Sequence, residues 1–467
     1  MRYLRTSGLA TGIYFLWGLW FPNSGWCGNV PPNLSESGFR QPQATASLRI
    51  QQKLEQQAKI SPDNYDLQRY PLTDANERHW RKLLWATAVV SPQEPSVTAA
   101  LSQLLALTNQ PNLSRSQVRT LDMAMQVSIQ LYLSHPANET ALEQRFLEII
   151  ESSPEARWVA MSLSGLAKAG MPPDALQRLS QRIYQRFPQG SEDLVLQTTL
   201  RDIADSIAPP PVPPLQDLFN WTIAPGQPQL YVICQSERQA LCISVLKNRQ
   251  GRFLRLSDAT AKMAETPAER LWMAPLYLQS IHRLAWNFHR GETPQGIYRI
   301  EGIIPQPDSQ FFRAYGQFPL INLFVPFESG VREFLPGRRG AFTGTLDNYL
   351  SLLPPSWRQY RPIQQTYWAG KIGRGLFRIH GSGESPEFFA KTQPTLPSYN
   401  WNPTLGCLSA LELYDATGKI QRADMPKILN ALRTVGGRHF SGYLVVVEIP
   451  SDPQALESDI EAAIANF

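Results

Sequence analysis

The chain has 467 residues, 43% of them hydrophobic, enough to bury a sizeable core and to make two or three domains. Residues 1–217 balance acid against base, so the net charge of +5 belongs to 218–467. Spread that thinly it excludes a nucleic-acid footprint, which would cluster Lys and Arg on one element, and merely favours an anionic polymer.

At the start, Arg2 and Arg5 precede LATGIYFLWGLWF, an apolar run of 13 residues, followed by the turn-forming PNSGWCGN. Residues 1–28 therefore read as a secretory signal. The run is short against the roughly 20 residues of a membrane span, although an uncleaved anchor stays open as the second reading. No A-x-A cleavage site is present, and Trp26 before Cys27 argues against lipoprotein processing. Export to the periplasm or cell envelope is expected, with membrane contact only through this segment if it stays uncleaved.

From 45 to 206 the pattern is helical. PSVTAALSQLLALTN sets Val97, Leu101, Leu104 and Leu105 on one face, and NETALEQRFLEIIES does the same with Leu142, Phe146, Ile149 and Ile150. Ser153-Pro154-Glu155 reads as a helix cap with proline in the first turn, and Gly170 with Pro172 and Pro173 as its stop. Two more helices follow, at 174–187 and 191–206. Alternate helices start about 37 residues apart, a period near that of helical-hairpin repeats, so the region weakly resembles a short HEAT-like array that would bind a protein partner.

Five prolines between 208 and 214 cannot continue a helix, and 207–217 is expected as a semi-rigid linker. Beyond it the period shortens: LYVICQSERQALCISVL reads as a hairpin, GYLVVVEIP as a buried strand, and DMPKILNALRTV, stopped by Gly436-Gly437, as a helix. The expected fold class is thus multi-domain, an N-terminal all-α repeat-like domain followed by a β-rich domain over 218–467. Cys234 and Cys242 lie equally far from Arg238, so a turn centred there brings them face to face. A disulfide and a reduced apolar pair both fit.

The chemistry-bearing residues come late. GLFRIHGSG delivers His380 at the end of an apolar run, with Gly381 and Gly383 placed to let the backbone turn away. A Pro-rich loop follows, and NPTLGCLSA then brings Cys407 behind Gly406. A cysteine in isolation more often packs than reacts. A nucleophilic cysteine needs a base and oxyanion donors, and His380 is the nearest candidate base upstream; Cys407 is the candidate nucleophile, with a packed thiol still open at this point.

Ile379-His380-Gly381 and Thr404-Leu405-Gly406-Cys407-Leu408, with ETPQGIYRI upstream and QSERQAL before that, resemble the L,D-transpeptidases of bacterial cell-wall synthesis (YkuD-like) over about 230–450. The resemblance implies an exported cysteine acyltransferase acting on peptidoglycan stem peptides, without cofactor or metal. It also implies that the Gly381 carbonyl orients His380, with oxyanion donors at Gly406 and Cys407 and substrate contacts at Thr404 and Ser409. Leu405 and Ser409 depart from the polar residue and the Arg or Asn usual at those places, which puts the substrate-carboxylate contacts in question. With water as acceptor the same machinery is an L,D-carboxypeptidase, and both activities stand. The rival reading is a non-catalytic envelope scaffold in which the β domain holds peptidoglycan and the helices bind a protein. Ser244-Val245-Leu246-Lys247 with Ser398-Tyr399-Asn400 imitates a penicillin-binding serine site, but S-x-x-K must open a helix and here falls in a strand. His282, His289 and His439 have no ligand spacing around them.

Overall fold

The runs QLYVICQ and CISVLK form strands β1 (Gln229–Gln235) and β2 (Cys242–Lys247), paired antiparallel with Ile233 opposite Ile243. Every residue of both is buried, so these are strands covered on two sides. The others are β3 (Arg255–Ser257), β4 (Glu269–Leu271), β5 (Met273–Leu276), β6 (Gly296–Ile304), β7 (Leu320–Phe324), β8 (Phe377–Gly381), β9 (Leu408–Ala410), β10 (Glu412–Tyr414), β11 (Ile420–Ala423) and β12 (Ser441–Ile449). The computed structural model describes residues 45–188, 193–236, 238, 240–257, 269–304, 318–381, 403–452 and 455–465. The expected signal segment, Gly383 and the Ser398–Asn400 triplet lie outside the described residues.

Eight strands make one sheet in the order β5-β2-β1-β12-β6-β7-β8-β9, parallel at β1/β12 and β8/β9 and antiparallel elsewhere. The sheet curls until its edges meet. Tyr277, directly after β5, and Ser409 in β9 exchange both backbone hydrogen bonds at 2.9 Å. Leu230, Val232, Leu246, Ile300, Leu323, Ile379, Leu408 and Leu444 form the interior, where Met425, Ile428 and Leu432 of the helix Met425–Gly436 join them. Gly437 takes φ +78° and ends that helix. The outer face, with Tyr231, Ile233, Val245, Tyr443 and Val447, packs on Trp357, Tyr360 and the C-terminal helix Leu456–Ile464.

The N-terminal region is helical: α1 (Ala46–Gln57), α2 (Glu77–Val90), α3 (Pro95–Ala106), α4 (Arg115–Ser134), α5 (Thr140–Ser152), α6 (Ala156–Lys168), α7 (Pro173–Arg186) and α8 (Leu194–Ile207). Alternate helices stack, α2 on α4 on α6 on α8 and α3 on α5 on α7, while α3/α4, α5/α6 and α7/α8 close hairpins between the two layers. The apolar residues read from α3 and α5 are all buried in the shared core. Helix α6 starts later than its sequence signal. Glu155 is the capping residue, and Ser153 instead accepts from the Glu155 N–H and donates to the Thr108 carbonyl, tying the α5–α6 connection to the preceding hairpin.

The proline segment does not leave a gap between the two parts. A short helix, α9 (Leu215–Asn220), already begins within the expected linker, and Trp357 Nε1 donates to the Pro214 carbonyl at 3.0 Å. The described residues of both parts belong to one compact unit. The segment after β5 does most of this joining, because Leu284 and Phe288 enter the helical core. Arg283 donates to the Leu133 carbonyl at 2.8 Å, and Asn287 to the Thr198 and Thr199 hydroxyls at 2.9 and 2.8 Å. Among the described residues no helix is long and apolar enough to cross a membrane.

Candidate active site

Strands β8 and β9 run parallel with Ile379 beside Leu408, His380 beside Ser409 and Gly381 beside Ala410. Ile379 and Leu408 point into the interior, so His380 and Ser409 share the other face. Cys407 directly precedes β9, outside the paired residues. Cys407 is half-buried, with Sγ 3.7 Å from the Leu376 carbonyl oxygen. His380 is buried and its Nδ1 lies 2.6 Å from the Gly381 carbonyl oxygen. A carbonyl only accepts, so Nδ1 carries the hydrogen and Nε2 is the basic nitrogen.

The turn that presents the thiol is held from below. Gly406 takes φ +118°, a conformation that favours glycine. Thr404 Oγ1 accepts from the Gly406 N–H at 3.1 Å and donates to the Cys407 carbonyl at 2.7 Å, while Thr293 Oγ1 donates to the Gly406 carbonyl at 2.9 Å. Thr404 in turn is fixed through its backbone to Gln279 and Ile281. Its hydroxyl is therefore spent on shaping the turn, and the Gly406 N–H is engaged by it. Ser409 is completely buried, its backbone bonded to Tyr277 and its Oγ without a partner among the described residues. Gly381 does not turn the chain, as its sequence context led one to expect, but continues β8. Its need for glycine is space: a Cβ there would lie 1.8 Å from a Glu412 carboxylate oxygen.

Four charged residues lie near the thiol. Arg374 is buried beneath Gly406 and donates to the carbonyls of Trp286, Glu292 and Gly291, the last two at 2.9 Å. Burial lowers its pKa to about 10, with Tyr298 and Cys407 among the groups that act in the opposite sense. Arg238, in the β1–β2 turn, pairs with Glu448 at 2.5 Å and donates to the Thr293 carbonyl. Glu328 accepts from the N–H of Leu376 at 2.7 Å and of Val325 at 3.1 Å, and burial pushes its carboxyl up to about 7. Arg378 completes the set. Arg238, Arg378 and Thr293 fall inside stretches that the sequence singles out, QSERQAL, GLFRIHGSG and ETPQG, whereas Arg374 and Glu328 fall in none.

Cys234 and Cys242 are disulfide-bonded, directly opposite one another in the β1/β2 register, with Cα atoms 4.3 Å apart. Among the histidines, His282 is buried against α4 whereas His289 and His439 are exposed. Ser244 and Lys247 lie in β2, and the Lys247 ammonium donates to the Phe219 and Trp221 carbonyls at 2.7 and 2.9 Å. No group of metal-ligating side chains occurs among the described residues. Compared with known proteins, the chain matches no family model, no curated protein and no solved structure.

Proposed function

We propose that the chain is an exported cysteine acyltransferase of the L,D-transpeptidase kind, acting on peptidoglycan stem peptides. The observation that supports this reading is the parallel β8/β9 pairing, in which Cys407 directly precedes the strand beside His380; in this reading the His380 imidazole, with its hydrogen on Nδ1 against the Gly381 carbonyl, takes the thiol proton on Nε2. Cys407 Sγ then attacks the amide carbonyl on the C-terminal side of an L-configured centre. The C–N bond breaks, His380 returns the proton to the departing D-amino acid, and a thioester remains. An amine attacks the thioester in transpeptidation, and water does so in carboxypeptidation.

The Cys407 N–H is the backbone donor that would meet the oxyanion, since the Gly406 N–H is held by Thr404. The helical stack supports the site through the 279–293 segment and offers its outer surface to a protein partner.

The test is incubation of purified protein with muropeptides, read by mass. Wild type should release a D-amino acid and form either a cross-link or a shortened stem, and Cys407→Ser should do neither while unfolding at the wild-type temperature. Unchanged muropeptide masses, together with a Cys407 that resists mild alkylation in the folded protein, would replace this reading with the non-catalytic scaffold.

A further inference from the structure

A concavity that shares no residue with the Cys407 site lies between α9 and the single 3-10 turn Pro355–Trp357, and it encloses about 370 Å³. Asp217, Asn220 and Trp221 line one side, Pro354, Pro355 and Ser356 the other. Both walls are fixed. Trp221 leaves α9 in an extended conformation, its Nε1 donating to the Leu352 carbonyl at 2.8 Å across 131 positions of chain and its own carbonyl accepting from the Lys247 ammonium at 2.9 Å. The bond from Trp357 Nε1 to the Pro214 carbonyl holds the opposite wall. The Trp221 indole is half-buried, and among the described residues no aromatic ring or cation stacks on it. The side chains of Asp217, Asn220 and Ser356 likewise have no hydrogen-bond or ion-pair partner among the described residues. A rigid apolar floor of this volume, edged by a few uncommitted polar groups, is the make-up of a small-molecule site. The Asp217 carboxylate only accepts, so the occupant must bring donors, whereas the Asn220 amide and the Ser356 hydroxyl can each donate and accept. A pyranose meets these demands together: one face of the ring offers C–H groups to an indole and to proline rings, and its rim carries hydroxyls that both donate and accept. A proline-rich peptide suits the tryptophan and proline walls but has no N–H to give Asp217.

We propose that this concavity binds one pyranose ring of a glycan, stacked on Trp221 with its hydroxyls on Asp217, Asn220 and Ser356. The binding is non-covalent and leaves the sugar unchanged. It goes beyond the acyl-transfer reading and does not depend on it, since no group near Cys407 takes part. Because the two walls are already tied together by the Trp221–Leu352 bond, little ordering is left to be done when the sugar enters. Beside the acyl-transfer reading, the site gives the β domain a hold on the polysaccharide to which stem peptides are joined.

The test uses the full chain and tetra-N-acetylchitotetraose, a glycan that carries no peptide, so that Cys407 has nothing to attack. In saturation-transfer NMR the ring protons on one face of the sugar should be saturated more strongly than those on the other, and a titration read the same way gives the affinity. Asp217→Ala and Asn220→Ala, each losing one hydrogen bond at the rim, should weaken binding about fivefold and remain folded. Trp221→Ala should abolish it. Since Trp221 also ties α9 to Leu352, Trp221→Phe is measured beside it and should keep binding within about tenfold of wild type, because the aromatic face survives while the Nε1 bond does not. No binding by wild type at about 10 mM sugar overturns the proposal. Binding left unchanged by both Asp217→Ala and Asn220→Ala places the sugar elsewhere and overturns it too. Displacement of the sugar by a polyproline peptide at equal concentration would make the concavity a peptide groove instead. Protein that binds the glycan but leaves muropeptide masses unchanged keeps this site and loses the acyl-transfer reading, and protein that processes muropeptides without binding the glycan does the reverse.

Discussion

His282 donates through Nδ1 to the side-chain oxygen of Gln130 at 3.0 Å, across 152 positions of chain, and Gln130 donates onward to the Ala88 carbonyl at 2.7 Å. That relay pins the segment between β5 and β6 to helix α4. Burial, and then the neighbouring charges of Arg290 and His289, hold the imidazole well below its usual range. A histidine whose folded-state pKa is depressed takes up protons more readily when unfolded. Its contribution is therefore complete above the ordinary imidazole pKa of about 6.5 and is lost as pH falls below it. In chemical denaturation at pH 7.5, His282→Gln should be less stable than wild type by about 1–2 kcal/mol. At pH 5 that gap should narrow or reverse, because only wild type must bury a titrating ring. A gap that stays constant across this range would refute the assignment.

Glu328 gives the opposite sign on the other side of the thiol. It holds the N–H of Leu376, which takes φ +63°, and the Leu376 carbonyl is the one that faces Cys407 Sγ. Burial pushes the Glu328 pKa from 4.5 to about 7, so the folded state favours the proton. The stability it contributes is full below 4.5 and is lost as pH rises through about 7. Glu328→Gln should match wild type near pH 5 and become the more stable protein by pH 8, by at most about 3 kcal/mol. Its Cys407 alkylation should slow at pH 8, since a neutral amide is a weaker acceptor for the Leu376 N–H. Equal stability at both pH values would show that the carboxyl does not titrate there.

The Cys234–Cys242 bridge closes a loop of only eight residues of sequence separation, with Arg238 at its apex in a left-handed conformation of φ +52°. A loop this small removes little freedom from the unfolded chain, so the paired Cys234→Ala, Cys242→Ala variant should lose about 2 kcal/mol. Arg238 also reaches the Thr293 carbonyl, and Thr293 holds Gly406. Reduction should therefore slow Cys407 labelling as well as lower the unfolding temperature. Intact mass should rise by about 2 Da on reduction of the native protein, the signature of one bridge opened. No change in mass would mean that the two thiols are free.

What could be read from the sequence followed from local pattern. The helical faces of α3 and α5, the hairpin of β1 and β2, and the helix that ends at Gly437 each announce themselves within one window of sequence. Cys407 and His380 stand out as candidates for a similar reason, since each sits beside a glycine at the edge of an apolar run. The supports of the site were not legible. Arg374 meets Gly291 across 83 residues, and Thr293 meets Gly406 across 113; no periodicity reports a contact of that span. The docking of 282–288 into the helical core was hidden because His282, Arg283 and Asn287 look like loop residues. Their partners on α4 and α8 are backbone carbonyls, hydroxyls and one amide.

Gly406→Ala examines whether the support beneath the thiol matters to its reactivity. At φ +118° an alanine is strained whatever space surrounds it, and here its Cβ would lie 2.6 Å from Arg374 Nη2 and 2.9 Å from the Gly291 carbonyl oxygen. Neither neighbour can yield cheaply, because the guanidinium is buried and bonded to three carbonyls and the oxygen belongs to backbone. The turn must move instead. It can do so by breaking the bonds from Thr293 and Thr404 that aim Cys407. The variant should lose about 2–4 kcal/mol of stability, and in the folded fraction at pH 7 Cys407 should alkylate at least about tenfold more slowly than in wild type. Gly381→Ala offers the comparison, since its Cβ, on the strand that carries His380, would strike Glu412 of β10, away from the 404–407 turn. If folded Gly406→Ala labels at the wild-type rate, the Thr293, Thr404 and Arg374 contacts are packing alone and the thiol owes them nothing.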